Sequence, residues 1–134
     1  MIAGVAKEAF PGERRVALVP AVVPSLKKLG LDVLVEREAG FAAGFLDAAY
    51  VEKGAKTAAS AEEVFAAADV VLAVRPLAGA SPKVDLFRSG QVVVGFLDPV
   101  GSPQGVRALA ERGSTAFALE LVPRITRAQA MDAL

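Results

Sequence analysis

Val70-Val71-Leu72-Ala73-Val74 and Gln91-Val92-Val93-Val94-Gly95-Phe96 are two short runs, apolar through their centres and separated by a stretch containing Pro and Gly. Neither alternates apolar with polar residues, as a strand with one wet face would. A strand that stays apolar on both sides is buried on both faces, and such strands belong to parallel sheets covered by helices. Three more strand-like segments follow the same reading: Ile2 to Val5, Asp32 to Glu36 and Thr115 to Leu119.

Helical patterns lie between them. Pro20 opens one that runs to Leu29, with Val22, Leu26 and Leu29 on one face and Gly30 as its C-terminal cap. Leu46 to Lys53 is a short helix closed by Gly54. Ser60-Ala61-Glu62-Glu63 is a capping box that starts a helix from Ala61 to about Ala68. Gly40 to Gly44 and Pro76 to Pro82 read as loops, and Asp85 to Arg88 as one helical turn. Ser102-Pro103 is an N-cap followed by Pro, starting a helix to Arg112 with Gly113 beyond it. Strands alternating with helices predict an α/β fold: a doubly wound, mainly parallel five-stranded sheet in flavodoxin-like order 2-1-3-4-5, with helices on both faces. An α+β domain with a mixed sheet is the alternative.

The chain has 134 residues, 15 Lys+Arg against 15 Asp+Glu, and no Cys, His or Trp. That length suits one domain with a substantial core. Zero net charge speaks against a nucleic-acid or anionic-membrane surface. Without His there is no imidazole base; without Cys there is no thiol nucleophile or disulfide, and the usual metal ligands are missing, so no metal site is expected. No apolar run reaches the roughly 18–20 residues of a membrane span, and the N-terminus does not read as a signal peptide. The expectation is a soluble, cytosolic chain.

In an open parallel sheet, ligands bind beyond the carboxyl ends of the strands. Lys7, Glu8, Arg14 and Arg15 follow the first strand, Arg75 the third, Asp98 the fourth, and Glu120, Arg124 and Arg127 the fifth. The rim is mostly cationic and suits a small anion, a carboxylate or a pyrophosphate. Blander readings stand beside this one. Charges end strands because strands end at the surface. Glu13-Arg14-Arg15 also fits a solvated turn with a Glu–Arg bridge, and Tyr50 fits a packed helical face. Gly-x-Gly-x-x-Gly and the Walker loop are absent. Thr126-Arg127-Ala128-Gln129 forms a second capping box, so a helix starts near Arg127 and stops after about two turns. Gln129 then closes that box, and Asp132 lies on the helix's exposed side. The unfinished helix reads as part of a longer polypeptide; a terminal helix docked on the domain is the alternative.

Gly4-Val5-Ala6-Lys7-Glu8, followed by Glu13-Arg14-Arg15-Val16-Ala17-Leu18-Val19-Pro20, resembles the N-terminal signature shared by alanine dehydrogenases and proton-translocating nicotinamide nucleotide transhydrogenases. Val122-Pro123-Arg124-Ile125-Thr126-Arg127-Ala128-Gln129-Ala130-Met131-Asp132-Ala133-Leu134 resembles the transhydrogenase α subunit in particular. The dehydrogenases bind their keto acid with an Arg, a Lys and a catalytic His. Arg15 stands at the Arg position, Arg75 at the Lys position and Asp98 at the His position, so amination chemistry is not supported.

The resemblance implies a Rossmann-like lobe over residues 1–125, with residues 126–134 starting a helix toward a second, NAD-binding lobe. The implied activity is hydride transfer between NAD(H) and NADP(H), coupled to proton translocation, with NADP(H) held by a partner domain. Arg124, Ile125, Thr126, Arg127, Gln129 and Asp132 are implied at the nicotinamide end of NAD(H). Arg124 contacts the nicotinamide–ribose region, Gln129 bonds a ribose, and Asp132 orients the carboxamide and supports Arg124. Gln129 and Asp132 are thereby the expected catalytic pair, with Lys7, Arg15 and Arg75 as a weak anion site. Implied partners are the membrane-embedded and NADP-binding subunits and a second copy in a homodimer, at the cytoplasmic face of the cell membrane. The rivals are an alanine-dehydrogenase-like oxidoreductase and a non-enzymatic domain that binds a small anion.

Overall fold

The computed structural model describes residues 1–77 and 82–133. Its strands are β1 (Ile2–Val5), β2 (Asp32–Glu36), β3 (Lys56–Ala58), β4 (Val70–Leu72), β5 (Val92–Gly95) and β6 (Thr115–Ala118). The helices are α1 (Val23–Lys28), α2 (Asp47–Glu52), α3 (Ala61–Ala67) and α4 (Pro103–Glu111). Every strand pair is parallel, in the order β3-β2-β1-β4-β5-β6.

The sheet therefore has six strands and not the five expected. The five expected strands keep their predicted order, and β3 is added outside β2. Lys56-Thr57-Ala58 is too short to show a period and holds no apolar run. Its place comes from pairing, Leu34 with Lys56 through Glu36 with Ala58. The Arg37 N–H extends the ladder to the Ala58 carbonyl at 2.9 Å.

Parallel neighbours need crossovers, and the direction of travel sets the face each crossover covers. From β1 the chain steps outward to β2 and β3 over α1 and α2. Val5, Val23, Val33, Val35 and Tyr50 form the core on that side. It then returns past β1 to β4, β5 and β6, with α3 and α4 on the opposite face. Phe65, Val71, Phe87, Val93, Leu97 and Leu109 form the second core, where the Phe65 and Phe87 rings meet edge to face at 4.8 Å.

Local chemistry shaped the boundaries. The helix expected from Pro20 begins as a 3-10 turn, Pro20–Val22, before α1. Pro24 has no N–H to return to Pro20, so the Pro20 carbonyl bonds the Val23 N–H instead. Gly30 ends α1 at φ +83°, a conformation that side chains resist. Ser60 caps α3 through the Glu63 N–H, while the Glu63 carboxylate accepts from Ala59, one residue before the usual partner. Ser102 holds the N-cap position of α4 without a side-chain bond. The expected Pro76–Pro82 loop lies partly outside the described residues. Asp85 to Arg88 is only in part the expected turn, since a 3-10 segment spans Pro82–Leu86.

The second capping box does not form. Thr126–Met131 is a 3-10 segment that starts after Ile125, with no side-chain cap. Gln129 makes no side-chain hydrogen bond among the described residues; its carbonyl accepts from Asp132. Ala128 is 4% exposed, so the segment is seated on the domain by one small residue.

Two buried polar side chains tie layers together. The Gln91 amide donates to the Phe65 and Ala68 carbonyls at 2.9 and 2.8 Å, joining α3 to the start of β5. The Tyr50 hydroxyl donates to the Leu18 carbonyl at 2.8 Å, fastening α2 to the loop after β1. Burial, with Asp47 adding to it, pushes that phenol up to about 12.

Gly4 permits α3 to lie against β1: a Cβ there would stand 2.6 Å from Ala68 Cβ and 2.7 Å from Val64 Cγ1. Gly4→Ala is expected to cost about 1–3 kcal/mol by overpacking, read as a lower urea midpoint at unchanged slope. Tyr50→Phe leaves the buried Leu18 carbonyl unpaired and is expected to cost about 1–3 kcal/mol in the same measurement.

Candidate functional site

The direction of winding reverses at β1, where the loops after β1 and β4 leave the sheet's carboxyl edge on opposite errands. Such a switch point is a natural ligand crevice. Here it is filled from within. The Glu8 carboxylate accepts from the Val74 N–H at 2.6 Å and from the Arg75 N–H at 3.1 Å. Two backbone donors that could have held a ligand anion hold the chain's own carboxylate. The Glu36 carboxylate at the end of β2 is used likewise, accepting from the Lys7 N–H at 2.6 Å.

Two hollows flank this junction. A narrow one, about 20 Å³, is bordered by Lys7, Glu8, Phe65, Arg75 and Lys83. Lys83 Nζ donates to the Lys7 carbonyl. A wider cleft of about 310 Å³ lies beyond β4 and β5, walled by Leu72, Val74, Val94, Phe96, Leu119 and Ala133, with Arg15 at its side. The expected trio Lys7, Arg15 and Arg75 is thus divided: the first and last share the narrow hollow, and Arg15 belongs to the cleft.

Three of the rim's cations, Lys7, Arg15 and Arg124, are paired with carboxylates. Lys7 lies 3.5 Å from Glu38. Arg75 stacks over the Phe10 ring at 4.0 Å. Arg124 Nε lies 3.5 Å from Asp132 Oδ2. Arg15 presents Nε and Nη2 to the two Glu13 carboxylate oxygens, both at 2.8 Å, and its N–H reaches the same group at 3.0 Å. The Glu–Arg bridge read from the turn is present, but its acid is not solvated: the Glu13 side chain is 6% exposed, against 60% for Arg15. Sequence reading alone could see the pair and not the burial.

Asp98, at the dehydrogenase His position, has φ +46°. Its carboxylate accepts from the Gly101 N–H at 3.1 Å, and its N–H donates to Glu120. The side chain shapes the turn into α4. The other Glu120 oxygen is buried without a hydrogen-bond partner among the described residues. No cluster of three or more acidic, His or Cys residues among them could hold a metal.

Arg124, Ile125, Thr126, Arg127, Gln129 and Asp132 lie on one exposed terminal segment, and Ala133 carries that segment to the cleft wall. The structure therefore brings Arg15 and the terminal segment to one opening. Sequence reading named Glu8 and Glu13 but not that Glu8 binds the Val74 and Arg75 N–H groups or that the Glu13 side chain is covered. Each is a carboxylate within a charged loop, and only folding shows which donors it meets.

The Arg15 guanidinium holds the Glu13 carboxyl down at about 2, against the opposing effect of burial. A folded-state value below the ordinary 4.5 adds stability that is full above 4.5 and lost as pH falls through about 2. Carboxyl-carbon NMR is expected to find the Glu13 midpoint at about 2, and Glu13→Gln to remove this part of the acid-range stability.

Comparison with known proteins gives this geometry a family. The model described as alanine dehydrogenase/PNT, N-terminal domain, matches residues 4–134. NAD(P) transhydrogenase subunit alpha of Cereibacter sphaeroides is 40% identical over 131 residues, which is 98% of this chain and 25% of that protein. An alanine dehydrogenase of Methanococcus maripaludis is 36% identical over 123 residues, 91% of this chain and 32% of that one. The crystal structure of transhydrogenase from Sinorhizobium meliloti superposes with a TM-score of 0.91 at 42% identity, covering 98% of this chain and 39% of that one. The chain thus spans between 25% and 39% of each protein it matches here, and it belongs to the alanine dehydrogenase/PNT N-terminal domain family.

Proposed function

We propose that this chain is the first lobe, residues 1–125 with a linking segment 126–134, of the NAD(H)-binding component of a proton-translocating transhydrogenase. The observation that carries the reading is the terminal segment. Within it Arg124 lies 3.5 Å from Asp132, and its Ala133 borders a cleft at the carboxyl edge of the sheet. The transhydrogenase relatives, at 40% identity along nearly the whole chain, support the same reading.

The residues suit the nicotinamide end of a dinucleotide and not its diphosphate. The chain has no Gly-x-Gly-x-x-Gly, and Glu8 occupies the backbone donors at the switch point. The diphosphate then belongs to a second lobe. Bound NAD(H) supplies the hydride chemistry. Arg124 donates to the nicotinamide–ribose region, Asp132 holds Arg124 and accepts from the carboxamide, and Gln129 bonds a ribose hydroxyl. Ile125, Thr126 and Arg127 complete that edge.

Positioning two rings at reacting distance supplies much of the rate, and no protein group has to move a proton. A chain without His or Cys is adequate to that task. Amination of a keto acid calls for an acid–base group, and Asp98 is committed to its turn. NADP(H) sits on a partner domain, beside membrane-embedded subunits and a second copy of the component at the cytoplasmic membrane face. Among the described residues, no helix is long and apolar enough to cross a membrane.

The test uses the complete gene product with an NADP-binding partner domain and follows thio-NADP⁺ reduction by NADH. Arg124→Ala and Asp132→Asn are each expected to lower the rate roughly tenfold to a hundredfold, the loss for one charge-assisted hydrogen bond. Pyruvate- and ammonia-dependent oxidation of NADH without any thio-NADP⁺ reduction would establish the dehydrogenase reading instead.

A further inference from the structure

Glu13 stands out because its cost is unexplained by the fold. It lies in the loop after β1, among exposed neighbours, yet its side chain is 6% exposed while that of its partner Arg15 is 60% exposed. Burying a carboxylate is unfavourable unless its oxygens are bonded. Both are, three times over, by the backbone N–H, Nε and Nη2 of one residue.

The consequence falls on Arg15. Glu13 occupies the Nε/Nη2 edge of the guanidinium, and Nη1 makes no hydrogen bond among the described residues. The same guanidinium lies 5.9 Å from the Phe96 ring centroid, and both residues border the 310 Å³ cleft. The other walls, Leu72, Val74, Val94 and Leu119, are apolar. The opening thus combines an aromatic face, apolar walls and an arginine fixed along one edge with donors left on another. An arginine held in advance spends less freedom when a ligand arrives.

We propose that Glu13 is a positioning residue, fixing Arg15 so that Nη1 meets an oxygen of a planar, amide-bearing ring seated against Phe96. This rests on the nicotinamide reading of the site and adds a residue that acts through another. The low titration point of Glu13 keeps the clamp closed throughout the neutral and mildly acidic range.

The probe is reduced nicotinamide mononucleotide, which carries the ring, one ribose and one phosphate. It is titrated into the wild-type chain, Glu13→Gln, Arg15→Ala and the double variant. NMR follows the Arg15 Nε–H, the Phe96 ring, and the Arg124 and Gln129 side chains. In the wild type, saturable shifts are expected at Arg15 and Phe96. Glu13→Gln weakens the affinity roughly tenfold, the scale of one charge-assisted bond, but has no further effect in the Arg15→Ala background. A merely structural role would cost the same in both backgrounds, and that result overturns the proposal. So does an unchanged affinity in Glu13→Gln. Shifts at Arg124 and Gln129 with none at Arg15 and Phe96 overturn the Glu13 role and leave the site reading intact. Shifts nowhere overturn both.

Discussion

The two bonds from the Val74 and Arg75 N–H groups to the Glu8 carboxylate close the point at which this fold is weakest. In a doubly wound sheet the chain departs from its first strand in one direction and comes back to build in the other. The loops on either side of the reversal share no helix and diverge. Something must satisfy the backbone groups that the divergence exposes, because unpaired donors in a crevice are costly. A ligand serves that purpose in many proteins of this architecture. Here Glu8 does, and the loop after β1 is held against the loop after β4. Everything downstream on the loop, including Glu13 and Arg15, takes its place from that anchor and from the Tyr50 bond to Leu18.

This internal carboxylate also divides labour. With the switch point occupied, the open space is displaced toward the ends of β4 and β5, where Phe96, Leu119 and the terminal segment meet Arg15. The opening is mostly apolar, and Arg15 at its side is paired with Glu13. Asp98, which the resemblance sets at the dehydrogenase His position, is a carboxylate bonded within its own turn.

Much of this was legible in the chain. The runs at Val70 and Val92 carried the parallel sheet, because an apolar run without alternation fits only a strand covered on both sides. The order of the five expected strands followed from alternation with helices. Two failures share a cause. β3 is three residues long and is stabilised by the ladder it joins, so nothing local marks it. Thr126 and Gln129 have capping-box spacing, but Ala128 is buried and the segment tightens to a 3-10 turn, so tertiary seating overrides the cap.

Composition and periodicity determined, by themselves, the class of fold and the absence of imidazole and thiol groups from this chain. Those are properties of residue type and of spacing along the chain, which burial and backbone geometry convert directly into layers. Only the tertiary structure decided that Glu8 fills the crevice, that Lys7 and Arg75 part company with Arg15, and that Glu13 is buried against a guanidinium beside Phe96. Each of those is an electrostatic match between groups brought together by folding. A carboxylate's role depends on which donors lie within about 3 Å of it, and spacing along the sequence does not contain that distance.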